Sequence, residues 1–65
     1  MELNYQPNKK YGVTIEKPSP NHKCFYIYEG GEPDPIINKR FKTHTDAYNF
    51  CKKYFPDFNI TTKLL

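Results

Sequence analysis

Thr43-His44-Thr45-Asp46-Ala47-Tyr48-Asn49-Phe50-Cys51-Lys52-Lys53-Tyr54-Phe55-Pro56 is the stretch whose reading decides the fold. Thr43 is a good N-cap, and Asp46 three residues on completes a capping-box pattern and suits the positive end of the helix dipole. Ala47, Phe50, Cys51, Tyr54 and Phe55 then fall at i, i+3, i+4, i+7 and i+8, one apolar stripe along a helix. Pro56 cannot continue that helix. The spacing predicts one amphipathic helix, which needs an apolar surface to rest on.

Upstream, the period changes from 3.6 to 2. Residues 11–17 alternate apolar and polar as a half-buried strand does, and Pro18 and Pro20 end that strand. Residues 23–28 form a second strand, with Phe25 and Ile27 on one face and Cys24, Tyr26 and Tyr28 on the other. Glu29-Gly30-Gly31-Glu32-Pro33-Asp34-Pro35 is a turn or loop that holds three of the seven carboxylates. Residues 36–42 read as a third strand, with Ile37, Lys39 and Phe41 on one face and Ile36, Asn38 and Arg40 on the other. The expected fold is therefore α+β: a three-stranded antiparallel meander with one helix on one face. Residues 11–65 make one small βββα domain, and residues 1–10 a loose arm from which Leu3 and Tyr5 can pack back. Residues 57–65, with Phe58, Ile60, Leu64 and Leu65, give either a short final strand or a tail laid over the core.

Sixty-five residues leave room for one domain. A chain this short buries about 60% of its unfolded surface, which leaves little material for a deep, preorganised catalytic shell. Aromatic residues at 17% carry most of the packing and argue against disorder. Ten Lys and Arg against seven Asp and Glu give +3, compatible with nucleic acid but well short of a chain built to neutralise phosphates. No apolar run suggests a leader or a membrane span, so the expected location is cytoplasmic, with no membrane partner.

Chemistry-bearing residues are few. His22, Cys24, His44 and Cys51 do not have zinc-site spacing, and strand parity places Cys24 and Cys51 on opposite sides of the sheet. Neither cysteine has an activating neighbour, the loop carboxylates lack apolar surroundings, and Gly30-Gly31 is followed by acid and proline rather than a phosphate cradle. The expectation is a non-enzyme with no metal and no cofactor.

What remains is a binding surface. The sheet face turned from the helix carries Thr14, Glu16, Tyr26, Tyr28, Asn38 and Arg40, and Tyr and Arg are enriched in interface hot spots. The candidate partner-binding set is Tyr26, Tyr28, Arg40 and Asn38, joined by Glu29, Glu32 and Asp34 of the loop. The competing reading folds Phe58, Ile60 and Leu64 back over the two tyrosines as a second small core.

Phe41-Lys42-Thr43-x-x-x-Ala47-x-x-Phe50 is similar to the strand-to-helix junction of integrase arm-type DNA-binding domains. It is also similar to the hybrid-binding domain that precedes some ribonuclease H enzymes. The likeness covers roughly residues 36–55 and implies nucleic acid as partner. The acidic loop and the lack of a basic cluster in the first hairpin depart from both families, and the chain is assigned to neither.

The first functional expectation is a protein-binding accessory or inhibitor acting stoichiometrically on a host or defence protein. The Asn, Lys, Tyr, Ile and Phe of AT-rich coding fit a phage or mobile-element source. The alternative is a DNA- or RNA-binding module using the same face. Unguarded sheet edges also allow a homodimer.

Overall fold

The computed structural model describes residues 7, 8 and 10–63. Along the chain run β1 (Val13–Glu16), β2 (Tyr26–Glu29), α1 (His44–Tyr54) and β3 (Ile60–Lys63). Alternation in β1 buries Val13 and Ile15 and leaves Thr14 and Glu16 half-exposed. β2 pairs antiparallel with it, Ile15 facing Ile27 and Thr14 facing Tyr28. β3 lies on the other side of β1 and runs parallel to it, so the sheet order is β2-β1-β3.

The described residues form an α+β domain with three strands and one helix, but the sheet is mixed and the expected meander is not formed. Residues 36–42 do not make the third strand; the short C-terminal strand takes that place. The physical reason lies between two isolated antiparallel bridges, Tyr28 with Pro35 and Phe25 with Phe41. Three steps along β2 are matched by six along the partner segment, so three residues are surplus. Asn38, Lys39 and Arg40 absorb them in an exposed bulge, closed by Lys39 N–H donating to the Ile37 carbonyl at 2.9 Å. Pro35 has no N–H to give a ladder. The adjacent Ile36 and Ile37 are both buried, which a strand with one open face does not provide. Contact with β2 persists through Ile36 N–H to the Ile27 carbonyl at 2.8 Å, and through Phe25 and Phe41, which exchange bonds of 2.7 and 2.9 Å.

The helix begins where the sequence places it. Thr43 has extended φ and ψ of −128° and 157°, and its Oγ1 accepts the Asp46 backbone N–H at 3.1 Å. Thr43→Ala should therefore cost about 1 kcal/mol. In a domain of this size that corresponds to a Tm lower by about 4–8 °C, measurable by calorimetry. At the far end Phe55 N–H donates to the Cys51 carbonyl at 2.7 Å, and Pro56 stops the winding.

Ala47, Cys51 and Phe55 form the line of closest approach to the sheet. They join Val13, Ile15, Ile27, Ile36, Ile37 and Phe41 in one core. Phe50 and Tyr54 lie about 100° around the axis from Cys51 and Phe55. Phe50 is only half-buried and Tyr54 is 42% exposed, so the apolar stripe is narrower than the spacing suggested. Phe58 and Ile60 pack on this same core and not over Tyr26 and Tyr28. Leu64 and Leu65 lie outside the described residues, as do Leu3 and Tyr5 of the arm. Of that arm, Pro7 is buried and the Asn8 N–H donates to the Glu29 carboxylate.

Candidate binding surface

The β1–β2 register places Thr14, Glu16, Tyr26 and Tyr28 on one face of the sheet, and the parallel register adds Thr61 and Lys63. Four of the six residues expected on that face are thus together. Tyr28, however, is only 7% exposed, and its backbone bridges to Pro35. Burial, then the nearby Glu16, Tyr26 and Asp34, push its hydroxyl above the ordinary value of 10.0. Tyr26 is half-buried and shares its surroundings with His22, the ring centroids 5.7 Å apart.

The rest of the candidate set is dispersed. Asn38 and Arg40 are exposed, but they stand on the bulge and not on a strand. Glu29 is 6% exposed and accepts the Asn8 N–H. It closes β2 onto the arm and is turned away from any partner. Glu32 is exposed in the turn, its N–H bonded to the Glu29 carbonyl at 3.0 Å, and Asp34 is exposed beside Tyr28.

A more concave surface lies on the other side of the bulge. Lys39, Arg40, Phe41 and Lys42 form one wall of a shallow groove of about 530 Å³, and Asp46, Asn49, Phe50, Lys53 and Tyr54 form the other. The helical wall falls at i, i+3, i+4, i+7 and i+8, a second stripe beside the buried one. The spacing is present in the sequence, but Phe50 and Tyr54 also fit the core-facing stripe, which masks it. Four cations and one carboxylate meet here, whereas Glu32 and Asp34 stand in the loop before the bulge. The rings are already engaged: Phe50 has Phe41 at 5.2 Å and Tyr54 at 4.5 Å between centroids. Lys53 Nζ lies 5.2 Å from the Tyr54 ring and Lys39 Nζ 5.6 Å from that of Phe41.

Cys24 and Cys51 are both free thiols, and Cys51 is fully buried. Burial pushes the Cys51 thiol up from 9.0 to about 11. Because the folded value is the higher one, the folded chain keeps this proton where the unfolded chain loses it. The associated stability is present below pH 9 and is lost as pH rises toward 11. In a thiol-labelling time course near neutral pH, Cys24 should react first and Cys51 only on unfolding. Equal rates would show that Cys51 is accessible.

His44 Nε2 is 2.7 Å from Thr62 Oγ1, tying the helix start to β3, and its ring lies against Phe25 and Tyr48. Among the described residues no three His, Cys, Asp or Glu side chains converge as a metal site requires. No helix there is long and apolar enough to cross a membrane. The chain matches no known family model, no curated protein and no solved structure.

Proposed function

We propose that the chain is a small non-catalytic protein-binding module, an accessory or inhibitor that acts stoichiometrically on a larger protein. The observation that carries this reading is the groove between the bulge and α1, where exposed aromatic surface and four cations converge. Aromatic and Arg side chains are the residue types that dominate interface energetics. Absence of catalysis is supported by the buried, high-pKa Cys51 and by His44 held against Thr62. A host or defence protein as target, and a phage or mobile-element source, rest on composition alone.

The experiment is affinity capture from host cells with the tagged chain, followed by mass measurement of the purified complex. One chain per partner molecule is the expected stoichiometry. Capture that disappears on nuclease treatment would overturn the reading.

A second reading, nucleic-acid binding, is favoured by the same four cations. If Lys39, Arg40, Lys42 and Lys53 each neutralised a phosphate, log K would fall with log salt at a slope of about −3 on single strands. Self-association through β3 is a further proposal, since the sheet order leaves β3 at an edge. A sedimentation profile that shifts with concentration would support it.

A further inference from the structure

We infer that the groove between residues 39–42 and α1 takes an acidic, extended segment of the partner protein, its carboxylates on the rim cations and one apolar side chain against Phe50 and Tyr54. The inference rests on the protein-binding reading above and names the chemistry of the bound element.

Charge comes first. Lys39, Arg40 and Lys42 line one wall and Lys53 the other, opposed by Asp46 alone. Arg40, exposed on the bulge, can hold a carboxylate through two parallel N–H bonds, while the lysines act as point charges. The helical wall is apolar where the half-buried Phe50 meets Tyr54. A purely ionic ligand would leave that apolar surface in water; a segment with one aromatic or aliphatic side chain covers it.

Length comes second. From Asp46 to Tyr54 the helical wall rises about 12 Å, room for about four residues of an extended chain. Single-strand nucleic-acid sites engage about 4–16 nucleotides along a continuous basic track. This wall is short, begins with the carboxylate of Asp46 and carries one cation, Lys53.

Ring availability comes third. Stacking of bases needs open ring faces. Phe41 is buried, Phe50 has three ring neighbours in Phe41, Tyr54 and Phe55, and Tyr54 has Phe50 and the Lys53 ammonium beside it. Such rings offer edges and partial faces, which suit a side chain better than a base.

The test uses three fluorescent probes with the full chain at low salt. They are a peptide with the core Asp-Glu-Phe-Glu-Asp, the same peptide with the phenylalanine replaced by serine, and a twelve-nucleotide oligothymidine. The variants are Arg40→Glu with Lys53→Glu in the groove, and Lys23→Glu with Lys63→Glu away from it; all four positions are exposed. Circular dichroism checks that each pair remains folded. The expected result is saturable binding of the first peptide, weakened at least tenfold by the groove pair and less than twofold by the distant pair. The serine peptide should bind several-fold more weakly.

No saturable binding, or equal loss with both pairs, would overturn the acidic-segment proposal. Tighter binding of oligothymidine with the same groove dependence would overturn it in favour of nucleic acid. A captured partner whose binding ignores the groove pair would sink this inference while leaving the protein-binding reading standing. Capture of nucleic acid alone would sink both.

Discussion

Ile27→Ala is expected to leave a large fraction of the molecules unfolded at room temperature. Ile27 is 0% exposed, faces Ile15 across β1–β2, and gives its carbonyl to the Ile36 N–H at 2.8 Å. It therefore belongs at once to the hairpin and to the bulged segment that walls the groove. Truncation of a buried Ile to Ala costs about 2–5 kcal/mol. A single core of this size supplies about 3–5 kcal/mol in all. The loss is comparable with the whole. Urea unfolding followed by circular dichroism gives the answer. A change below about 0.5 kcal/mol, the range of an exposed substitution, would mean that Ile27 is not at the centre of the core.

Gly12→Ala should produce the second large effect, by a different route. Gly12 has φ of +71°, a conformation that costs an L-residue about 1–2 kcal/mol. In addition, a Cβ built there would lie 2.7 Å from the Asn59 carbonyl oxygen. That oxygen accepts the Val13 N–H at 2.8 Å, the bond that brings β3 alongside β1. The expected cost is about 2–4 kcal/mol, the backbone penalty plus displacement of β3. Gly31 supplies the control. Its φ is +85°, but nothing lies within 4 Å of its added Cβ. Gly31→Ala should lose only the backbone part. Equal losses at the two positions would remove the role given to the β1–β3 contact.

Residues 43–56 were legible in the sequence because each signal there is local. A capping threonine, an acid three residues on, an apolar line at 3.6 spacing and a proline stop need no knowledge of the rest of the chain. The first two strands were legible through alternation at Val13-Thr14-Ile15 and Tyr26-Ile27-Tyr28. The third was misread because alternation cannot reveal a bulge. Ile36-Ile37-Asn38-Lys39-Arg40-Phe41 satisfies a strand pattern in either register, and only the bridges at Pro35 and Phe41 expose three surplus residues. β3 was left open because Ile60-Thr61-Thr62-Lys63 has one half-buried residue and three exposed ones, too little pattern to distinguish an edge strand from a tail.

The candidate site was legible in part, for similar reasons. Strand parity correctly gathered Thr14, Glu16, Tyr26 and Tyr28 on one face. Parity assigns a face but not exposure, and Tyr28, whose bridge partner is Pro35, is buried. Glu29 appeared to belong to an acidic loop, yet it ends β2 and anchors the Asn8 N–H. The groove was missed because Phe50 and Tyr54 look like core residues in a stripe. Tyr54 is displaced from the core by one position on the helix, a rotation of about 100°.

Those displaced rings and the bulge cations are the centre of the functional account. The most direct measurement is amide-resonance mapping of the labelled chain titrated with its captured partner. The largest shifts are expected on Lys39, Arg40 and Lys42 and on the Asp46–Tyr54 stripe, with Glu32 and Lys63 little changed. Shifts concentrated on the 29–34 loop or on β3, with the groove unmoved, would contradict it.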